Sequence, residues 1–103
     1  MPRNEPVNSA FFEELVRVLS ALGDAETCRA FLLDLCTVQE LSQLSQRLQV
    51  AKLLQAGETY DAIRGHLPVS SATITRVSTA LYYGSGGYRA ALAHLEPSTP
   101  GTE

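Results

Sequence analysis

Polar side chains that could bind an anion or hydrogen-bond to the edge of a base are concentrated in one segment, residues 59–81, with the sequence TYDAIRGHLPVSSATITRVSTAL. The segment holds two arginines, Arg64 and Arg76, and a stretch rich in serine and threonine at residues 70–75. Guanidinium groups bind phosphates, hydroxyls bind phosphates or base edges, and a threonine methyl group can contact the methyl group of thymine. This composition indicates binding to nucleic acid.

The chain lacks the residue patterns of catalysis and of metal binding. It has no paired carboxylates, no Ser/His or Cys/His constellation and no glycine-rich phosphate loop of the required spacing. Its two cysteines and two histidines show no close Cys/His spacing of the kind that holds zinc. Cys28 and Cys36 fall on one predicted helix, roughly 12 Å apart, which is too far for a disulfide. We therefore expect that the protein is not an enzyme and has no metal site. We expect the two cysteines to be small buried hydrophobic residues.

The net charge of −3 is unfavourable for nucleic-acid binding, but the charge is unevenly distributed. Residues 1–40 hold three basic and seven acidic side chains, whereas residues 41–95 hold five basic and two acidic ones. The positive half contains the segment 59–81, as attraction to phosphates requires. The excess is small, so one copy should bind nucleic acid weakly, and a dimer would double the positive charge presented.

Helical signals run along the whole chain, and no strand pattern or internal repeat interrupts them. We predict an all-α protein of six helices in one domain, residues 9–95, with flexible tails at residues 1–8 and 96–103. Residues able to cap a helix start are Ser9, Asp24, Thr37 with Glu40 as a capping box, Thr59, and either Ser70 or Ser71. Stop signals are Gly23, Gly57, Pro68 and the three glycines within residues 84–87. The last helix should run from about residue 88 to about residue 95.

Residues 59–83 are organised as a helix-turn-helix, in which two helices pack at a steep angle across a short turn. Residues 68–71 form the turn, and Val69 fits the buried position within it. The side chains expected to point inward are Ile63 and Leu67 from the first helix and Ile74, Val77 and Leu81 from the second. In such motifs the N-terminal part of the second helix, the recognition helix, enters the major groove of DNA.

The exposed face of the predicted recognition helix suits contact with a duplex. At about 100° per residue, Arg76 lies opposite the buried side chains, and Thr73 and Thr75 flank the exposed face. Ser71 and Ala72 are small and allow the helix backbone to approach the base pairs closely. The backbone N–H groups at the start of the helix favour a phosphate.

The sequence ATITRVSTAL at residues 72–81 closely resembles the recognition helix of the Trp repressor family, for which ATITR is characteristic. The wider chain resembles the Trp-repressor-related YerC/YecD group. The matching stretches are DLCT at 34–37, QRLQVAKLLQAGETY at 46–60, VSSATITRV at 69–77 and YGSGGYRAAL at 83–92. They cover most of residues 10–95 in the right order, so the resemblance is specific.

This resemblance implies an intertwined all-helical homodimer that places two recognition helices in successive major grooves. The implied function is sequence-specific binding of double-stranded DNA as a transcriptional regulator, with repression expected. Together with the spacing argument, it assigns DNA binding to Arg64, Ser70, Ser71, Ala72, Thr73, Thr75 and Arg76. Two of the departures from the family pattern affect the DNA-contacting region: Asp61 stands at a basic position, which weakens a contact with DNA, and Pro68 replaces the usual glycine of the turn.

The resemblance also predicts a degenerate corepressor pocket. In the Trp repressor the bound tryptophan lies between two arginines, beside a threonine and a serine that helps to hold its amino group. The matching residues here are Thr37, Arg47 and Arg76, whereas Ala80 replaces the serine and Val77 replaces a glycine beside the indole. The lost hydroxyl and the added β-branched side chain both oppose tryptophan binding. We expect no cofactor and no binding of L-tryptophan, and the existence of another small effector stays open.

The apolar residues of the first two helices leave two interpretations open. Aromatic and leucine side chains are frequent in residues 11–35, and a single copy of the chain would leave part of this apolar surface exposed to water. This favours a homodimer built on the first three helices. The other interpretation is that these residues close one compact core. A different function is also open, namely a protein-interaction module of the transcription machinery that kept the fold without reading DNA. The acidic net charge and the single arginine on the recognition helix favour it.

The expected cellular location follows from what the sequence lacks. No apolar run approaches the roughly 20 residues that a membrane-spanning helix needs, and the first ten residues are not of signal-peptide type. We therefore expect a cytoplasmic protein without membrane partners, associated with the bacterial nucleoid when it is bound to DNA.

Overall fold

The computed structural model describes residues 9–95, which form six α-helices and no strand. The helices are α1 (Ser9–Ala21), α2 (Ala25–Leu35), α3 (Val38–Gln55), α4 (Tyr60–His66), α5 (Ser71–Tyr83) and α6 (Gly87–Ala93). This confirms the predicted all-α class and the number of helices. The last helix is shifted, since it begins at Gly87 and ends at Ala93. The predicted tails at residues 1–8 and 96–103 lie outside the described residues.

The chain divides into two compact units between Leu41 and Ser42, that is, within α3. The first unit contains α1, α2 and the first turn of α3, and none of the residues of α1 and α2 is buried. Cys28 and Cys36 in this unit form no disulfide, and they are half-buried rather than buried as expected from the sequence. The second unit contains the rest of α3 with α4, α5 and α6.

Short-range hydrogen bonds define where the helices of the first unit begin. The backbone N–H of Thr27 donates to the carboxylate of Asp24 at 2.9 Å, and this bond is the main cause that lowers the pKa of Asp24 from its usual value. Thr37 and Glu40 form the predicted capping box, in which the N–H of each residue donates to the side chain of the other, at 2.8 and 3.0 Å. These bonds satisfy backbone donors that the first turn of a helix leaves unpaired.

The core of the second unit is apolar and joins all four of its helical segments. Its buried residues are Val50, Ala51 and Leu54 of α3, Ile63 of α4, Ile74, Val77 and Leu81 of α5, and Leu92 of α6. Half-buried Leu67 and Val69 pack against this core from the segment between α4 and α5. The burial of Ile63 and of three α5 residues confirms the predicted inward face of the two helices. Burying a side chain of this size stabilises the fold by about 1.5–3 kcal/mol relative to leaving it exposed.

Polar contacts at the end of α5 attach this helix to its neighbours. The hydroxyl of Tyr82 donates to the backbone carbonyl of Leu54 at the end of α3, at 3.3 Å. The Nε–H of Arg89, in α6, donates to the carbonyl of Leu81 at 3.2 Å. The same guanidinium lies over the ring of Tyr82, 5.7 Å from its centroid, within the range of a cation–π interaction. The C-terminal end of α5 is thus held by both α3 and α6.

Gly84 follows α5 directly at a point that leaves no room for a side chain. Its N–H donates to the carbonyl of Ala80 at 3.0 Å, which closes the last turn of the helix. A Cβ placed on Gly84 would lie 2.4 Å from that same carbonyl oxygen, and a backbone atom cannot move aside as a flexible side chain can. Two residues later, Gly86 adopts a left-handed φ of 88° before α6 begins.

We expect the substitution Gly84→Ala to lower the free energy of unfolding by about 1–3 kcal/mol, because the end of α5 must shift to relieve the clash. The matched control is Gly87→Ala, since a Cβ on Gly87 meets no atom within 4 Å and alanine favours a helix start there. Thermal or denaturant unfolding of both variants would test this. Equal stability of the two variants would show that the clash has no energetic consequence.

Candidate nucleic-acid interface

The helices α4 and α5 form a helix-turn-helix within the predicted range 59–83. The hydroxyl of Thr59 accepts from the N–H of Ala62 at 3.1 Å and so caps α4. At the other end, the N–H of Leu67 donates to the carbonyl of Ile63 at 2.9 Å, and Pro68 follows. Proline cannot continue a helix, so the chain turns here.

Ser70 and Thr73 define the start of α5, the helix predicted to be the recognition helix. The hydroxyl oxygen of Ser70 accepts from the N–H of Thr73 at 3.1 Å, which makes Ser70 the N-cap and resolves the choice between Ser70 and Ser71. The Ser70 hydroxyl also donates to Oγ1 of Thr73 at 3.2 Å. Both hydroxyls are therefore used in the local structure, and Thr73 is half-buried. Their position fits a role in orienting the first turn of α5 as well as a role in contacting a ligand.

The exposed face of α5 presents the other residues predicted for this helix. Ser71, Ala72, Thr75 and Arg76 are all exposed. Within residues 9–95, the side chains of Thr75 and Arg76 take part in no hydrogen bond or ion pair that the structure shows. On the same face, two turns further along, Tyr83 is 86% exposed. The structure thus places small and polar side chains, together with one arginine, on the side of α5 opposite its buried residues.

Arg64 connects the two helices of the motif. Its Nη1 donates to the hydroxyl oxygen of Ser71 at 2.9 Å, and its Nη2 forms an ion pair with Asp61 on the preceding turn of α4. The spacing of three residues between Asp61 and Arg64 could have indicated the ion pair. The contact with Ser71 joins two helices and had no sequence signal. The structure therefore brings Arg64 to the first residue of α5, but with its guanidinium already bonded.

A polar cavity of about 350 Å³ lies beside the start of α5. Gln43, Gln46 and Arg47 of α3 line one side, and the other side consists of Pro68, Val69, Ser70 and Thr73. Arg47, which lines this cavity, is half-buried. The two glutamines are residues that the sequence analysis did not select, because amide side chains on a helix are common and carry no spacing signal.

A second cavity, of about 520 Å³, is mainly apolar and lies among α3, α5 and α6. Its walls are formed by Leu44, Arg47, Leu48, Ala80, Gly84, Ser85, Gly87, Tyr88 and Ala91. Arg47 is the one residue that lines both cavities.

The residues predicted for a degenerate corepressor pocket are placed in different surroundings. Arg47 and Ala80 line the apolar cavity, but Val77 is buried in the core and Arg76 is exposed on the opposite face of α5. Thr37 belongs to the first unit, where its hydroxyl accepts from the N–H of Glu40. Four of the predicted pocket residues belong to the second unit, and only Arg47 and Ala80 of these line the same cavity.

Two other kinds of feature are absent from the part of the chain that the structure describes. Within residues 9–95, no three His, Cys, Asp or Glu side chains gather in a way that could hold a metal ion. No helix in the same range has both the length and the apolar character that a membrane crossing demands.

Comparison with known proteins gives consistent matches over nearly the whole described chain. The family model described as "Trp repressor protein" matches residues 10–96. The protein YerC of Bacillus subtilis, which is described as uncharacterized, is 42% identical over 84 residues, which are 82% of this chain and 81% of that protein.

Two solved structures share the fold. A crystal structure of a candidate Trp repressor from Staphylococcus aureus is 41% identical, with a TM-score of 0.78 over 85% of this chain and 88% of that one. A TrpR-like protein from Eubacterium eligens is 36% identical, also with a TM-score of 0.78, over 90% of this chain and 95% of that one.

Proposed function

The chain belongs to the Trp repressor family, and from this premise we propose that it is a transcriptional regulator that binds double-stranded DNA in a sequence-specific manner. The family is one of helix-turn-helix regulators rather than of enzymes. The observation that carries the proposal is the exposed N-terminal half of α5, where Thr75 and Arg76 project from a helix whose opposite face is buried. A helix held in this way can enter the major groove without rearrangement.

Each residue at the start of α5 has a proposed role that follows from its contacts. Ser71 and Ala72 are exposed and small, so the helix backbone can approach the base pairs. Thr75 offers a hydroxyl and a methyl group to a base edge, and Arg76 can reach a guanine or a phosphate. Ser70 and Thr73 contribute their backbone and their mutual hydrogen bond to the geometry of the first turn.

The charge of residues 42–95 supports attraction to DNA. Residues 42–95 hold five basic and two acidic side chains, and Arg64 and Arg76 lie on the helix-turn-helix itself. Phosphate contacts supply most of the affinity for arbitrary DNA, and they make binding sensitive to salt. We propose that Arg64 is the phosphate contact of α4, in a state that depends on its ion pair with Asp61.

The exposed apolar side chains of the first three helices favour a homodimer. Phe11 is 73% exposed, and the others with large exposed fractions in this part of the chain are Phe12, Val16, Val18, Leu19, Leu33, Leu35, Val38 and Leu44. Apolar surface on this scale is typical of an interface. We propose that a second copy covers it and that each copy supplies one recognition helix. A dimer held on two successive major grooves competes with other proteins for the same DNA, which supports repression as the outcome.

The apolar cavity is proposed not to bind L-tryptophan. Ala80 lines it where a hydroxyl would be needed to hold the amino group of the ligand, and Arg76 does not face it. The proposal for location is the cytoplasm, with association to the nucleoid when the protein is bound to DNA.

Thr75→Ala should weaken binding to a preferred duplex by about 1–3 kcal/mol and change binding to random duplex DNA little, because a base contact carries sequence information. The preferred duplex would come from selection with the parent protein, and fluorescence anisotropy would measure both affinities. The control is Thr79→Ala, which removes the same groups one turn further from the start of α5.

Binding to both duplexes should weaken steeply as salt is raised, because phosphate binding releases counterions. If Thr75→Ala and Arg76→Ala remain folded and bind every duplex as the parent does, DNA reading by α5 is wrong. The same conclusion follows if the parent shows no salt-dependent binding at all. The family fold would then serve protein interaction, which the acidic net charge favours.

Leu44→Asp should dissociate the dimer. Leu44 is 46% exposed in the single chain, so the substitution leaves the core of one copy intact but places a charge in the proposed dry contact. An uncompensated buried charge costs about 3–5 kcal/mol, which would raise the dimer dissociation constant by at least about 100-fold. The control is Gln49→Asp, which adds the same charge at an exposed position of α3. Sedimentation of the parent as a monomer near 11.1 kDa at micromolar concentration would contradict the dimer.

L-tryptophan should leave the melting temperature unchanged, whereas a ligand that binds only the folded state must raise it. Thermal unfolding with millimolar L-tryptophan tests this, with glycine at the same concentration as the control for general effects of an amino acid. A saturable upward shift with tryptophan alone would overturn the assignment of the cavity.

A further inference from the structure

The ion pair between Asp61 and Arg64, together with the bond from Arg64 to Ser71, forms a bridge from α4 to the first residue of α5, here termed the Asp61–Arg64–Ser71 bridge. We propose that Asp61 competes with DNA phosphates for Arg64 and thereby lowers the affinity of the protein for every duplex, whatever its sequence. This inference rests on the proposed function.

Arg64 lies at the part of the helix-turn-helix where a bound duplex is expected. Ser71 is the first residue of the recognition helix, and its hydroxyl accepts from Arg64 at 2.9 Å. In a helix-turn-helix the first helix crosses the DNA backbone while the start of the second enters the groove. The guanidinium of Arg64 therefore stands between these two contacts, and one of its two terminal nitrogens is already paired with a carboxylate.

The exposure of the pair makes it exchangeable. The side chains of Arg64 and Asp61 are 47% and 87% exposed, and ion pairs in this setting are weak because water and salt screen them. A phosphate can thus replace Asp61. This exchange contributes less binding free energy than a phosphate contact made by an unpaired arginine, because the ion pair with Asp61 must be broken when the phosphate binds. Asp61 sets the strength of the contact rather than preventing it.

Two other roles for Asp61 predict different behaviour. A carboxylate in the first turn of α4 also stabilises the helix through its dipole, and that role would change stability without a specific link to Arg64. Simple repulsion between Asp61 and DNA would weaken binding whether or not Arg64 is present. Only competition for Arg64 makes the effect of Asp61 depend on that arginine.

A double-mutant cycle of Asp61→Asn and Arg64→Ala separates these roles. Anisotropy would measure binding to the preferred and the random duplex between about 50 and about 200 mM salt. Asp61→Asn should increase the affinity for both duplexes by the same factor, about two- to fivefold per subunit. The slope of log affinity against log salt concentration should become steeper by up to about one unit per subunit, which corresponds to one added phosphate contact. In the Arg64→Ala background the same substitution should give no more than the small gain in affinity that Glu58→Gln gives, and it should leave the salt dependence unchanged.

The matched control is Glu58→Gln, which neutralises an exposed carboxylate close to the start of α4 that forms no ion pair within residues 9–95. Its effect on affinity should be smaller than that of Asp61→Asn and should persist in the Arg64→Ala background. Asp61→Ser provides a second neutral variant with a good residue for the first turn of a helix, in case the asparagine variant does not fold.

The proposal is overturned if Asp61→Asn gives no gain, or gives the same gain with and without Arg64. When the parent binds duplex DNA with a salt-dependent affinity, these outcomes reject the competition and leave the proposed function standing. When neither the parent nor the Asp61 variants bind any duplex, the proposed function fails and the competition fails with it.

Discussion

The burial of Ile74, Val77 and Leu81 along one side of α5 is the interaction on which the second unit depends. These side chains meet core residues from α3, α4 and α6, so a single apolar contact region fixes the helix against three neighbours. When one face of an α-helix is buried, the residues on the opposite face are exposed to solvent. The burial of these three side chains therefore determines that Ala72, Thr75 and Arg76 are exposed. The candidate interface is thus a direct consequence of core packing.

Burial alone would leave the first turn of α5 free to fray, and polar contacts restrict it. Ser70 caps the helix through the N–H of Thr73, while Arg64 of α4 bonds to the hydroxyl of Ser71. At the other end, Tyr82 bonds to the backbone of α3. Hydrogen bonds therefore hold the helix at both ends. Because Ser70, Ser71 and Arg64 take part in these bonds, not every polar group near the candidate interface is available to a ligand.

The two units differ in how much apolar surface they bury. The second has a core of eight buried residues, whereas α1 and α2 bury none and leave Phe11 largely exposed. Exposed aromatic and leucine side chains are costly in water, at about 25 cal/mol per Å² of apolar surface. A second copy of the chain would remove that cost, and the proposed homodimer would then contribute to stability as well as to DNA binding.

Local sequence determined most of the helix pattern and the helix-turn-helix, because caps such as Asp24 and Thr59, the break at Pro68 and the spacing of Ile74 and Val77 act within a few residues. Family resemblance added candidate residues along α5. The tertiary structure decided what those residues contact. It joined Arg64 to Ser71, and it brought Arg47 and Ala80, but not Arg76, to one cavity. Such contacts depend on the packing of separate helices, which no short-range spacing encodes.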